Sequence, residues 1–287
     1  MHGVSLAAAA AYDQPMNGDA AVIRAATWNV WWLFGEDWHR RERGIVATLE
    51  KWDPDVIGLQ ECWALGDRTQ ADALGEELGL HAAFAEPAYP PVPDPVEHPD
   101  QIGVRMGLGL LSRWPISSVV AQPLPSAARD LVALDARIEH PRGTLHVIVG
   151  IAGDDPEHSA QLTALGDLAC DTRRDGPLPV MVLGDLNTDS GIPDMLALSA
   201  RLTDTWAAAN TGKPADPRTF SAQNRFAAAA PLRETNRRVD HVLVRPGSPD
   251  RPVRVAGSRV VRDEFEGLPP SDHYLVVSDV DFGGTAS

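Results

Sequence analysis

Val180-Met-Val-Leu-Gly-Asp-Leu-Asn187 is a short apolar run that stops abruptly on polar residues, and its reading decides the fold. Residues 180–183 suit a buried strand, being too few for a helix and bounded by turn residues. Working outward, the same pattern recurs. Val22 to Trp28 is apolar enough for a buried strand and leads into Asn29. Asp55-Val-Ile-Gly-Leu-Gln60 leads into Glu61, which is predicted to close that strand. Asp240 opens the strand Val239–Val244, and Ser271-Asp272-His273 stands just before Tyr274–Val280. Further strands are predicted at 107–112, 131–138, 145–151 and 253–261, the middle two joined by the turn His140-Pro-Arg-Gly143.

Helices fall between these strands. Asp37 is placed to cap one in which Ile45, Leu49 and Trp52 recur at helical spacing, and Asp53-Pro54 stops it. Others are predicted at 69–78, at 194–201, and from Pro156 through Leu162, Leu165 and Leu168 with Asp154 or Asp155 as cap. Two sheets packed face to face and covered by helices fit this order. Residues 1–20 lack periodicity and are expected to form a mobile leader before a single domain over 21–287. Residues 86–105, rich in proline, are expected to be a long surface loop.

The 287 residues are 44% hydrophobic, enough for a sizeable core, and carry a formal charge of −15. That charge argues against gripping nucleic acid by bulk attraction. Short basic clusters at Arg40, Arg41 and Arg43, at Arg173 and Arg174, and at Arg237 and Arg238 read as solvated faces. Cys62 and Cys170 give neither a disulfide framework nor a zinc spacing. No apolar run is long enough for a membrane span, and the opening residues lack the positive segment of a secretory signal. The cytoplasm is the expected compartment, and no obligate protein partner is evident.

The polar residues at strand ends together meet a chemical specification. A hard divalent cation such as Mg²⁺ takes oxygen ligands and keeps several waters, so one or two carboxylates suffice. Glu61 is the natural direct ligand, with Asn29 and Asp272 close by or acting through water. Phosphoester hydrolysis needs a positioned water and a base, for which Asp185 is the candidate. It also needs donors where charge builds, which Asn187 and a protonated His273 can supply to the substrate, with Asp240 orienting the imidazole. Ser271-Asp272-His273 is no serine-hydrolase triad, because sequence neighbours cannot converge as nucleophile, base and orienter. The nine histidines show no paired zinc spacing either.

At Thr27-Trp-Asn-Val30, Leu59-Gln-Glu61, Leu111-Ser-Arg-Trp-Pro-Ile116, Gly184-Asp-Leu-Asn187, Arg238-Val-Asp240 and Ser271-Asp-His273 the chain resembles the endonuclease/exonuclease/phosphatase superfamily, in that family's order. The resemblance implies an α/β (α+β) four-layer sandwich, two packed mixed β-sheets flanked by helices, with the site where strand ends meet. It implies Asn29 and Glu61 near a Mg²⁺ (or Mn²⁺), Asp185 and Asn187 at the attacking water and phosphate, and Asp272, His273 and Asp240 closing the site. One departure stands out. The family's histidine at the end of the strand reading His146-Val-Ile-Val-Gly-Ile-Ala152 would fall at or beside Ile151. His158 is the nearest substitute in sequence, although a first-turn surface histidine is its plainer reading. The expected function is metal-dependent hydrolysis of a phosphate ester, the substrate small or soluble. A nuclease and a binding protein of the same fold without turnover are the alternatives.

Overall fold

In the computed structural model, residues 3–7, 21–127, 129–153, 156–229, 234–247 and 252–283 are described. The first half of the chain lays down β1 (Gly3–Ala7), β2 (Val22–Asn29), α1 (Trp38–Trp52), β3 (Val56–Leu65), β4 (Arg68–Thr69), α2 (Gln70–Leu78), β5 (His81–Glu86), β6 (Arg105–Ser112) and β7 (Ile116–Pro123). The second half adds β8 (Val132–His140), β9 (Gly143–Ile151), α3 (His158–Cys170), β10 (Val180–Asp185), α4 (Pro193–Ser199), β11 (Thr203–Asp204), α5 (Thr205–Asn210), α6 (Arg225–Ala229), β12 (Asp240–Val244), β13 (Arg254–Val261) and β14 (Leu275–Asp281).

The strands form two mixed sheets. The first runs β1-β5-β6-β3-β2-β14-β13, with β4 paired to β3, and the second runs β11-β12-β10-β9-β8-β7. Each sheet holds one parallel pair near its middle, β2 with β3 and β10 with β9, and is antiparallel elsewhere. The central strands are buried on both faces, which is why they read as continuous apolar runs. The sheets meet closely at Gly58 of β3, where an added Cβ would lie 2.7 Å from the Cβ of Leu183 in β10.

Helices close the outer faces. Ile45, Leu49 and Leu74 of α1 and α2 join Trp28, Ile57 and Leu59 in one buried cluster, and Leu162, Leu165 and Leu198 of α3 and α4 join the strands of the second sheet in another. Four layers result, as expected.

The backbone of Gly3–Ala7, within the stretch expected to be a leader, pairs antiparallel with β5, whose outer edge offers unpaired hydrogen-bonding groups. Other local expectations need correction. Asp37 does precede α1, but it sits in the left-handed region with φ 56° and makes no side-chain cap. The proposed caps Asp154 and Asp155 lie outside the described residues, and α3 starts at His158. Glu61 does not end its strand. β3 continues to Leu65 through a bulge, because Leu59 pairs with Gly109 and Cys62 with Gly107, leaving one extra residue on β3.

Candidate active site

Strand direction explains why the polar residues converge. The parallel pairs β2–β3 and β9–β10 end at one edge of the molecule, and their antiparallel neighbours β14 and β12 begin there. Asn29 and Asp185 are therefore last residues of strands, while Asp240 is a first residue and lies directly across from Asp185. The backbone bends sharply around this edge. Trp31, Trp32, Glu61 and Asn187 all have positive φ, at 58°, 31°, 56° and 49°, which is costly for residues other than glycine.

The side chains interlock. Asn29 donates through Nδ2 to Glu61 Oε1 at 2.8 Å and to Asp185 Oδ2 at 3.1 Å, while its Oδ1 accepts the Trp31 N–H. The amide thus turns its nitrogen toward the carboxylates and holds them. Asp185 Oδ1 accepts the Asn187 N–H at 3.0 Å, and the Asn187 amide donates to the Ala152 carbonyl. His273 Nδ1 lies 2.9 Å from Asp240 Oδ2, and its Nε2 lies 3.9 Å from Asp185 Oδ2. Ser271 Oγ donates to the Asn29 carbonyl at 2.6 Å and accepts the His273 N–H, tying Asp272 to the end of β2.

Charge follows from this packing. Burial opposes a proton on His273, but Asp240, then Asp272 and Asp185, outweigh it and raise the imidazole to about 10. Burial also pushes the Asp240 carboxyl up, with Asp185 adding to it and His273 opposing. Three carboxylates face the imidazole, so the proton of that pair rests on His273. Glu61, Asp185, Asp240 and Asp272 are all at most 2% exposed, and the buried cations beside them are His273 and Arg41. Four buried carboxyl groups thus meet one imidazole and one guanidinium at this edge. Donor atoms of Asp185, Asp240 and His273 lie within 4.8 Å of one another, so these residues could hold a metal ion.

Residues 26–273 match the Endonuclease/Exonuclease/phosphatase family. The chain belongs to that family. Members of the family hydrolyse phosphoester bonds, and many depend on a divalent metal. The D. rerio TDP2 bound to a single-strand DNA product is similar in fold, with a TM-score of 0.69 at 16% identity over 90% of this chain and 98% of that one. The endonuclease/exonuclease/phosphatase of Beutenbergia cavernae gives 0.65 at 23% identity over 92% and 72%. A functionally unknown conserved protein of Enterococcus faecalis gives 0.66 at 18% identity over 92% and 100%. No curated protein matches the chain.

The position at or beside which the family's histidine was expected is an apolar, packed strand end. Ile151 pairs with Asp185 in register and is fully buried, and the Ala152 carbonyl beside it receives the Asn187 amide. His158 is no free surface histidine, since its Nε2 lies 2.9 Å from the Leu186 carbonyl within the Gly184–Asn187 turn.

Sequence reasoning missed three supports of this edge. Arg41, read as part of a solvated face, is 1% exposed. Its guanidinium donates to the carbonyls of Val30, Trp31, Trp32, Phe34 and Pro270, and burial lowers it to about 10 against the pull of Asp272 and Glu61. Thr219 accepts the N–H groups of Val239 and Asp240, while its carbonyl accepts that of Tyr274, so it stitches β12 to β14. Arg238, also read as solvated, is buried and pairs with Asp204 at 2.6 Å beside His241. Although burial opposes it, these two partners hold the Asp204 carboxyl well below the usual range.

Proposed function

We propose that this chain is a Mg²⁺-dependent phosphoesterase, with Mn²⁺ as a competent substitute, acting on a small or soluble phosphate ester. The observation that carries the proposal is the gathering of four buried carboxyl groups at one strand edge, beside the His273–Asp240 pair. A hard divalent cation is the partner that clustered oxygen donors suit. Glu61 and Asp272 would hold the ion, with Asn29 fixing Glu61. The trio of Asp185, Asp240 and His273 suits it less, because its imidazole is protonated and engaged by Asp240. When bound, the ion supplies a Lewis acid for the phosphoryl oxygens.

The remaining work belongs to the chain. Asp185, steered by Asn29 and the Asn187 N–H, orients the attacking water and takes its proton. His273 donates from Nε2 to a phosphoryl oxygen as charge develops, with Asp240 holding the ring, and Asn187 binds the phosphate beside it. The acidic surface argues for a substrate other than duplex DNA. The proline-rich loop 87–104 joins β5 to β6 at this end and is pinned where Gln101 donates to the Leu33 carbonyl.

A nuclease is the second reading. The DNA product bound to D. rerio TDP2 favours it, as does the aromatic pair Trp31 and Phe226, with ring centroids 4.9 Å apart near the mouth. Purified protein assayed on soluble phosphodiesters, monoesters and plasmid DNA, with and without Mg²⁺ or Mn²⁺, separates the readings. Metal-dependent turnover of a small ester is the expected result. Plasmid nicking at a matching rate would transfer the assignment to the nuclease. No turnover of any substrate with either metal would leave a binding protein.

A further inference from the structure

The outer face of the second sheet carries a row of polar side chains in register. Ser118 of β7 lies across from Arg137 of β8, and Arg137 across from His146 of β9. His146 precedes Ile151 by five residues, so the row sits roughly 17 Å along β9 from the catalytic edge. The turn Thr172–Arg174 after α3 brings Arg173 and Arg174 over it. Together with Asp135 and Gln122 these residues line a cavity of about 350 Å³.

The charges in this cavity are unevenly spent. Arg174 pairs with Asp135 and with Asp171, and Arg173 also pairs with Asp171. Gln122 donates to Asp135 as well. The side chain of Arg137 and the ring of His146 make no hydrogen bond or ion pair with any described residue. His146 is only 8% exposed, so a polar ring is nearly enclosed where it lines the cavity. Burial, then Arg174 and Arg137, keep it toward the neutral form, with Asp135 opposing and Arg245 adding to them. Three arginines here face two carboxylates, on a chain whose formal charge is −15.

We propose that this cavity binds a small phosphate-bearing anion. Arg137 presents the two-pronged donor that a phosphate takes, His146 donates from its ring, and the Ser118 hydroxyl completes the row. Three donor groups in line suit the several terminal oxygens of a phosphate group. The volume admits a phosphate with a short organic substituent and excludes a nucleic-acid strand. The site lies on the opposite face and end of the second sheet from Asp185, so it stands or falls independently of the phosphoesterase assignment.

Free orthophosphate and the phosphoryl group of a small monoester share this chemistry, and a titration distinguishes them. The imidazole resonances of His146, assigned with His146→Gln, are followed in the full chain. Inorganic phosphate, glycerol 3-phosphate and sodium chloride are added separately at matched ionic strength. A saturating shift at millimolar concentration or below is expected with inorganic phosphate, with the monoester, or with both. Whichever probe saturates names the source. Arg137→Gln, an exposed position whose loss leaves the fold intact by circular dichroism, weakens that binding by about tenfold or more. An equal shift with chloride, no shift with either phosphate probe, or unchanged affinity in Arg137→Gln overturns the proposal.

Discussion

Asp185 carries more of the proposed chemistry than any other side chain, because it touches Asn29, the Asn187 N–H and the approach to His273 at once. Losing a general base costs about 10²–10⁴ in rate, and losing one preorganised donor about 10²–10³. Asp185→Asn and His273→Ala are therefore each expected to lower kcat by at least about a hundredfold. Asp240→Asn should cost less, since it loosens the ring without removing it. Steady-state kinetics and melting curves on the same variants check this; lower melting temperature with normal kcat would make these residues structural. Glu61→Gln is expected to weaken Mg²⁺ binding in calorimetry while leaving the fold intact, and unchanged affinity would remove Glu61 as a ligand. These residues were legible because a carboxylate or amide directly after an apolar strand has nowhere to go but the strand-end edge. Arg41 was not, since the carbonyl of Pro270 that it reaches lies 229 positions away in the chain.

At the level of elements, the site depends on two irregular connections more than on regular strands. The bulge in β3 turns Glu61 into the edge, and the turn after β2 is held by one guanidinium on four of its carbonyls. A short apolar run announces a strand but not a bulge, which is why Glu61 read as a terminus. Arg41→Met should destabilise the protein by on the order of 3 kcal/mol or more, because buried carbonyls lose their donors. Arg41→Lys should not restore it, an ammonium being unable to span carbonyls that a planar fork reaches together. Urea unfolding of both variants measures the effect, and a lysine variant as stable as the parent would contradict the clamp. The missed strands have a similar origin. β5 reads His-Ala-Ala-Phe-Ala-Glu, an alanine-rich run whose strand character comes from its neighbours β1 and β6.

The whole molecule shows in its charge and its pH response. Among the described residues no helix is long and apolar enough to cross a membrane. His140 and His146 are both held below the ordinary imidazole value, by burial first and then by neighbouring arginines. The unfolded chain therefore takes up these protons more readily than the folded one. Their contribution to stability is complete above about pH 6.5 and is lost as the pH falls below it. Replacing both by glutamine should flatten the slope of unfolding free energy between roughly pH 7 and 5 relative to the parent. Denaturant midpoints at a series of pH values test this, and parallel curves would assign the slope to carboxylates. The two-sheet architecture was readable from the order of strands and helices. The burial of Arg41, Arg174 and Arg238 was not, because composition counts charges without showing which ones fold inward.

The short strand at Gly3–Ala7 has a consequence for how copies of this protein behave toward each other. It occupies the rim of β5, where Ala82, Ala83, Phe84 and Ala85 form an uncharged stretch that any extended peptide could join. Five residues act there as a selvedge, finishing an edge that would otherwise fray into its neighbours. Trimming residues 1–7 should leave turnover per folded molecule unchanged, because β1 sits at the outer edge of the first sheet with β5 and β6 between it and β3. Light scattering of concentrated solutions should rise with time in the trimmed chain and stay flat in the parent. Equal scattering from both would show that β5 needs no cover.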